Sequence, residues 1–581
     1  MIREAASRFV IPVTLIVTVA SVVLGWCSAG HIETLWDEHV DHEIAVGLQH
    51  HPLTGEEPTL DASQMRLPMY VNALAYAILG RDDLAASRAV SLAIGGLTIL
   101  ATAALGRMLF GPAVGLLAAV LLGFSPYFLS FARISMTEGD VFFACTTTLV
   151  MWAFVRYLRK PHASSWMLAA VLLAMALGAK TFAIGLFVVF PVLAWTTPPP
   201  QHVGRPSPHG QIKRLHSLLL AGVFLISATA VTAYVSKLAA VFGWAVLFGL
   251  WVVIALFVLR NRVLARGRLA RVFGMVVFAA ITFCTLMPVH LIEHDILREF
   301  ARRMLRWDGQ APMVLLIDHL RLYAGILIIK LTVPLGVLTL AALIFGILSS
   351  RRDAAWRACA WPVVLYIAAI CLLPLRQTFY LMGVYPLIMV MTAALIVSIA
   401  RGLNRWHLRL QVGWLVVAAL LGHLGAKVQQ AYPYFHLHGY DLVHDRWLGA
   451  ESRGYRNLIQ TPSDGVESLI RWCNTDPRVR PGDRVVSFLW EDQPGQMVDD
   501  VLPSEPRYMF VRRGLSADSD AVPPAPSIED ADFVLLHINN LLGYGDRPPD
   551  HPPLDSLAAR FEVVHTVCRG NLAVAWVYER R

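Results

Sequence analysis

Two adjacent carboxylates, Asp37 and Glu38, lie just beyond the first apolar segment of the chain. The stretch 36–50 contains no proline and predicts a helix at a membrane surface, on which Asp37 and Asp41 share a face. Carboxylates held close together raise each other's pKa, and a partly dry boundary raises it further. Such a group can accept a proton from a hydroxyl. The pattern therefore predicts a general base at the edge of a membrane.

Two other interpretations of this acidic stretch remain open. It could be a solvated acidic loop, because further acids lie nearby in the sequence: Glu33, Glu56, Glu57 and Asp61. It could also hold a divalent metal through His39 and His42 with Asp41 or Glu43, although surface histidines are the commoner explanation. The sequence has no zinc-ligand spacing and no Gly-rich phosphate loop, so we predict no metal and no cofactor, with a divalent metal as the open alternative.

Cations lie where lipid would be expected. Lys180 sits in the middle of one apolar run and Arg376 in another, and ionisable residues at membrane depth are functional candidates. Arg133 and Glu138 lie at the ends of long apolar runs, where a mutual salt bridge is the alternative. Carboxylates and isolated cations together favour a reaction that needs a base and stabilises an anionic leaving group.

The composition predicts the class of protein in which these residues lie. Of 581 residues, 56% are hydrophobic and 15% are charged, and the mean hydropathy is +0.55. These values predict a polytopic α-helical membrane protein. The net charge of +8 does not indicate nucleic-acid binding, because the basic residues are spread over short loops, where they report topology.

Charge-poor runs predict about thirteen transmembrane helices, with the N-terminus inside and the C-terminus outside. Each run is one span except 166–195, which the charges on either side split into two short helices that meet near Lys180. The runs are 9–30, 89–106, 108–132, 139–155, 166–195, 217–236, 238–259, 272–289, 323–349, 358–375, 377–399 and 411–429.

One predicted outer segment, 290–321, is rich in arginine, with Arg302 and Arg303 at its centre. Positive charge is normally sparse on the outer side of a membrane. The segment therefore predicts a binding site for an anion such as a phosphate. Ion pairs with acids of the same segment are an equally good explanation.

The chain changes character near residue 431. We predict a transmembrane domain over 1–430 and an extracytoplasmic domain over 431–581, in which short β-rich runs alternate with a helix. The second domain is predicted to be a small α/β domain. Cys473 and Cys568 could form a disulfide if that domain is periplasmic, but spacing alone does not establish it.

Several short motifs follow one another along residues 1–430. They are Asp37-Glu38, Arg88 with Ser91, Leu105 to Gly111, Ser125-Pro126, Ala132-Arg133 with Glu138, Gly178-Ala179-Lys180, Arg376 with Phe379-Tyr380, and Tyr385-Pro386. Their order resembles the protein O-mannosyltransferase and aminoarabinose-transferase family of integral-membrane, C-type glycosyltransferases. The C-terminal runs 531–540 and 573–578 are similar to the extracytoplasmic tail of bacterial members.

The resemblance implies the activity and the role of each residue. The family transfers a sugar from a polyprenyl-monophosphate carrier to a hydroxyl on the outer face of the membrane. It implies Asp37 as the catalytic base with Glu38 beside it, and Lys180 and Arg376 near the carrier phosphate. Further substrate-binding candidates are Arg88, Arg133, Glu138, Arg302, Arg303 and Tyr380. The family often has Thr-Lys-Gly where this chain has Ala179-Lys180-Thr181.

The expected location is the bacterial cytoplasmic membrane. The expected partners are a polyprenyl-phosphate-linked sugar, an acceptor glycan, lipid or protein, and membrane lipid, with no nucleic acid. The alternative function is a transporter or flippase for lipid-linked sugars, which would more often show internal repeats and midplane ionisable residues. A scaffold without activity is a third interpretation, against which Asp37, Lys180 and Arg376 argue.

Overall fold

In the computed structural model, the apolar runs of the chain form helices, which satisfy every backbone hydrogen bond within one segment as lipid requires. The structure describes residues 2–31, 36–51, 67–134, 140–180, 183, 185–196, 209–233, 237–261, 268–287, 312–329, 331–371, 378–406, 412–433, 435, 466–487, 509–511, 528–537, 554–569 and 572–581.

The first helices of the chain run up to residue 196. They are α1 (Ile2–Ala29), α2 (Trp36–His50), α3 (Leu67–Leu79), α4 (Leu84–Phe110), α5 (Pro112–Gly123), α6 (Pro126–Ala132), α7 (Asp140–Arg159), α8 (Ala163–Ala179) and α9 (Leu186–Thr196). The predicted helix over 36–50 is confirmed as α2, and its place at a membrane surface stays a prediction.

The remaining helices of the membrane part lie between residues 209 and 431. They are α10 (His209–Ala233), α11 (Lys237–Asn261), α12 (Arg268–Leu286), α13 (Pro312–Ile329), α14 (Val333–Ser349), α15 (Ala354–Cys371), α16 (Tyr385–Trp406) and α17 (Val412–Ala431). A 3₁₀ segment, Thr378–Val384, leads directly into α16.

Within the described residues, six helical segments are long and apolar enough to cross a membrane, and a bent pair of helices adds a seventh if it counts as one span. Shorter apolar helices, such as α3, α8 and α14, accompany them. The predicted class, a polytopic α-helical membrane protein, is confirmed. The predicted number of about thirteen spans stays a prediction.

Breaks in the apolar runs follow local capping chemistry. The predicted break near Lys180 is confirmed, because α8 ends at Ala179. The run 108–132, predicted as one span, bends by 64° between α5 and α6. Ser125 caps α6, and Pro126 in its first turn has no N–H to donate.

The run 323–349, also predicted as one span, is divided between two helices. It covers the end of α13 and the whole of α14. Thr332 caps α14, and Pro334 lies in the first turn, where the ring fits but a continuous helix would lose a hydrogen bond. The prediction of a single span was wrong here. Hydropathy is high across the whole run, but the Thr-x-Pro signal at 332–334 starts a new helix within it.

Asp83 caps the N-terminus of α4. One carboxylate oxygen accepts a hydrogen bond from Nε of Arg81 at 2.9 Å, and the other accepts from the backbone N–H of Ala86 at 2.8 Å. The Arg81 side chain, and then the Ala86 N–H, hold the pKa of Asp83 below its ordinary value.

Asp83→Ala should lower stability by about 1 kcal/mol, the usual value of an N-cap. Because the folded-state pKa is depressed, this stabilisation is present above the unfolded-state pKa of about 3.9 and is lost as the pH falls through the lower folded-state pKa. Thermal unfolding of the purified protein measures the effect. Asp82→Ala, at the neighbouring exposed position, is the control and should leave Tm unchanged. Identical Tm values for both variants would contradict the cap assignment.

The chain forms two compact units. The first comprises Met1–Trp26, Val40–Pro374 and Phe379–Gln429, and the second comprises Cys27–His39, Leu375–Thr378 and Gln430–Arg581.

The second unit contains a small mixed sheet with the strand order β2-β1-β3-β5-β4. Its strands are β1 (Arg484–Ser487), β2 (Met509–Val511), β3 (Phe533–His537), β4 (Phe561–Arg569) and β5 (Leu572–Arg580). The first three strands pair in parallel, and β5 runs antiparallel to both β3 and β4. The helices α18 (Val466–Thr475) and α19 (Leu554–Arg560) accompany the sheet.

Alternating apolar residues build the core of this unit. Val486, Val534 and Leu536 of the sheet pack with Leu557 and Phe561. The predicted α/β character of the C-terminal region is therefore confirmed. The possible disulfide is not formed, because Cys473 is a buried free thiol and Cys568 an exposed one.

Candidate active site

Lys180 lies at the C-terminal end of α8, in extended backbone conformation. Its backbone N–H donates to the carbonyl of Ala176 at 3.0 Å, which closes the last turn of the helix. Gly178 lets neighbouring segments of the chain approach this turn, because a Cβ there would clash with Cε of Met287 and lie 3.0 Å from Cβ of Leu67. Because the helix ends here, the Lys180 side chain lies in the interior of the protein.

The ammonium of Lys180 forms a buried ion pair with the carboxylate of Asp140. Lys180 is only 9% exposed and Asp140 only 5%. Asp140 is the first residue of α7, so the pair joins the start of α7 to the end of α8. Charges buried at membrane depth are expensive and persist where they are paired and functional.

Sequence reasoning missed the role of Asp140. The signal was present, because a lysine inside an apolar run requires a counter-ion, and Asp140 opens the neighbouring apolar run.

Tyr380, a predicted site residue, lies beside this pair. Its ring centroid is 5.4 Å from Nζ of Lys180, within the range of a cation–π interaction. The hydroxyl of Tyr366 in α15 donates to the backbone carbonyl of Tyr380 at 2.7 Å. The Tyr366 ring lies 5.9 Å from that of Phe143 in α7. Elements α7, α8, α15 and the 3₁₀ segment therefore meet around the lysine.

Close packing maintains this meeting point. A Cβ at Gly383 would clash with the Phe143 ring and lie 3.0 Å from the Tyr366 hydroxyl. Both Tyr366 and Tyr380 are largely buried. Packing and one hydrogen bond therefore hold the aromatic side chains beside the lysine in place. The sequence analysis did not identify Tyr366 as a site residue.

A second buried polar contact connects the bent span to α16. The hydroxyls of Ser125 and Tyr385 share a hydrogen bond of 2.7 Å, and the Tyr127 ring packs edge-on against Tyr385 at 4.9 Å. These residues belong to the Ser125-Pro126 and Tyr385-Pro386 motifs. The motifs, distant in sequence, are thus in direct contact.

Two predicted basic residues are buried in the same unit. Arg133 ends α6 and is 1% exposed, and Arg88 lies in the first turns of α4 and is 8% exposed. Both therefore belong to the interior and not to a solvated loop. Next to Arg88, the hydroxyl of Ser87 accepts a hydrogen bond from Asn72 of α3 at 2.9 Å.

The acidic pair lies on α2. Glu38 is fully buried, and so is Asp41 one turn further on, so the interpretation as a solvated acidic loop is wrong for these two residues. Asp37 lies on the same helix, and its side chain is outside the described part of the structure. Further along α2, His42 is joined to the hydroxyl of Tyr76 in α3 by a hydrogen bond of 2.9 Å.

Four predicted site residues lie outside the described residues. They are Glu138, Arg302, Arg303 and Arg376. Within the described ranges, no group of three or more His, Cys, Asp or Glu side chains is placed to hold a metal ion.

Comparison with known proteins bears on the same region of the chain. Residues 67–221 match the family model described as dolichyl-phosphate-mannose-protein mannosyltransferase. This segment contains Arg88, Arg133, Asp140 and Lys180. No curated protein sequence matches the chain significantly.

Two solved structures are similar to the chain. The archaeal oligosaccharyltransferase AglB from Archaeoglobus fulgidus, in complex with an inhibitory peptide and a dolichol-phosphate, is 12% identical; the match covers 91% of this chain and 69% of that one, with a TM-score of 0.47. ArnT from Cupriavidus metallidurans, bound to undecaprenyl phosphate, is 13% identical; the match covers 97% of each chain, with a TM-score of 0.42.

The polytopic helical fold and the family match define the protein as an integral-membrane glycosyltransferase. Residues 67–221 are similar to the dolichyl-phosphate-mannose-protein mannosyltransferase family. The resemblance predicted from the motif order is confirmed, and so is the predicted enzyme class.

Proposed function

We propose that the protein transfers a sugar from a polyprenyl-monophosphate carrier to a hydroxyl acceptor on the outer face of the bacterial cytoplasmic membrane. The donor class follows the family description, which names a lipid-phosphate-linked mannose. Of the two similar structures, the oligosaccharyltransferase is in complex with a dolichol-phosphate and ArnT is bound to undecaprenyl phosphate.

The observation that carries this proposal is the buried pair of Lys180 and Asp140 beside Tyr380. An ammonium group has three donors. Asp140 accepts a hydrogen bond from it and fixes the direction of the side chain, and on carrier binding the same ammonium donates to phosphate oxygens. A charge-assisted hydrogen bond in such a dry site stabilises the developing negative charge on the leaving phosphate.

Asp37 acts as the base in this proposal. Its carboxylate takes the proton of the acceptor hydroxyl while the hydroxyl oxygen attacks the anomeric carbon of the sugar. The bond between that carbon and the phosphate oxygen breaks, and the polyprenyl phosphate leaves as an anion. A single displacement inverts the configuration at the anomeric carbon. Glu38, buried on the same helix, positions Asp37 or the acceptor.

The remaining basic candidates hold the donor. Arg376, Arg302 and Arg303 contribute positive charge for the carrier phosphate on the predicted outer side. Arg88 and Arg133, both buried, belong to the donor site as well, with Glu138. The polar groups of the sugar and the phosphate need such partners because the surrounding helices are apolar.

The function is tested with the purified full-length protein and a panel of polyprenyl-phosphate sugars. The expected result is release of polyprenyl phosphate that depends on an added acceptor and on the sugar. Mass spectrometry of envelope lipids, glycans and proteins from deletion and wild-type cells then identifies the acceptor by the sugar it has lost. Transport of an intact lipid-linked sugar across vesicles, without release of polyprenyl phosphate from any donor, would instead indicate a flippase.

The arginine pattern also predicts the orientation of the chain. With an inner N-terminus and an outer C-terminal domain, Gln201→Cys should be hidden from an impermeant maleimide in intact cells, and Ser519→Cys should be labelled. The exposed native thiols, Cys27 and Cys568, are first replaced by serine. Both positions should react after lysis. Equal labelling of the two in intact cells would refute this topology.

A further inference from the structure

A groove of about 660 Å³ lies between α1, α4 and α7. Its volume falls within the usual range of ligand pockets, about 300–1,000 Å³. Residues such as Val10, Leu15, Leu100 and Ala104 form an apolar wall. We call this feature the basic groove, because its other lining is cationic.

Four cations line one end of the basic groove. Arg107 lies in the last turn of α4, Arg156 and Arg159 lie in the last turn of α7, and Lys160 follows. All four are exposed. Among the described residues that line the groove there is no carboxylate. The charges are therefore available to an anion.

The arginines are oriented by contacts around the groove. The Arg159 guanidinium donates to the carbonyl of Met108 at 2.5 Å, which joins the ends of α7 and α4. The guanidinium carbon of Arg156 lies 5.3 Å from the ring centroid of Trp152, one turn earlier on α7. Cations at helix C-termini are favourable in general, but here they also surround a concavity whose wall is mostly apolar.

The α1 side of this wall is exposed. Ile11 and Leu15 of α1, which line the groove, are 56% and 48% exposed. An occupant must therefore offer hydrocarbon to the wall and negative charge to its end. We propose that the basic groove binds an anionic diacyl phospholipid of the surrounding membrane, with its phosphate at the arginines and an acyl chain along α1 and α4.

This site is separate from the candidate active site. Asp140 begins α7 and Arg159 ends it, so the two sites are roughly 30 Å apart along a helix that rises 1.5 Å per residue. The positive-inside pattern predicts that the groove lies on the cytoplasmic side. The bound lipid is therefore a component of the inner leaflet, and not the carrier that donates sugar on the opposite face.

Native mass spectrometry of the full-length protein tests the proposal. Phosphatidylglycerol and phosphatidylcholine with identical acyl chains are compared. Phosphatidylglycerol should bind preferentially, and the double variant Arg156→Gln with Arg159→Gln should weaken it roughly tenfold or more, because each basic residue near an anionic headgroup contributes measurably. The matched control is Arg351→Gln with Arg352→Gln, which removes two exposed charges from a predicted inner loop outside the groove.

A second variant keeps all four charges. Ala104→Trp fills the apolar wall and should also weaken phosphatidylglycerol binding. Unchanged binding by this variant would overturn the groove as the site. Equal loss in the control variant, or equal binding of phosphatidylcholine, would overturn the specific headgroup contact. Displacement of the lipid by inorganic phosphate alone would indicate a free-anion site, and displacement by polyprenyl phosphate would indicate a carrier site; either would overturn the proposal.

Discussion

Asp37→Asn should still insert, fold and bind the carrier lipid, yet turn over at least about 100-fold more slowly, the usual contribution of a general base. The amide keeps the size of the carboxylate and much of its hydrogen bonding, but it cannot accept the acceptor's proton. The expected loss is therefore in kcat, with KM for the donor nearly unchanged. Single-turnover measurements with a polyprenyl-phosphate sugar separate the two quantities.

Glu38→Gln is the matched control for this prediction, one residue along the same helix. The loss of turnover should be smaller, because the buried Glu38 is assigned to positioning Asp37 or the acceptor and not to proton transfer. Near-normal turnover by Asp37→Asn together with an inactive Glu38→Gln would transfer the base to Glu38. Full activity in both variants would reject the mechanism of proton abstraction by this acidic pair.

Local signals in the sequence were sufficient for several features. Hydropathy with flanking arginines predicted the break at Lys180, and the structure ends α8 there. The breaker-poor acidic stretch predicted α2, and short β-rich runs predicted the C-terminal sheet. These features depend on residues adjacent in sequence, so periodicity and composition carry them.

Other features depend on tertiary contacts that hydropathy does not encode. The pairing of Lys180 with Asp140 joins two helices, and Tyr366 reaches Tyr380 from a third. The burial of Glu38 is likewise decided by packing, since its sequence neighbours are polar. A search for counter-ions would have found Asp140, whereas the position of Tyr366 had no comparable signal in the sequence.

Lys180→Met should weaken carrier binding about 5- to 150-fold, which corresponds to 1–3 kcal/mol for a charged hydrogen bond. Methionine keeps most of the length and the apolar character of the stem but not the charge. The same variant removes the ammonium from a buried carboxylate, and breaking a buried pair from one side costs about 3–5 kcal/mol of stability. Carrier binding and thermal unfolding must therefore be measured together.

The double variant Lys180→Met with Asp140→Asn separates these two effects. It removes both charges, so much of the lost stability should return, while carrier affinity should stay low because no ammonium faces the phosphate. Asp140→Asn alone keeps the ammonium and should retain carrier binding better than Lys180→Met does. If the double variant bound the carrier like the wild-type protein, Lys180 would serve only to neutralise Asp140. The phosphate would then have to be held by the arginines of the donor site.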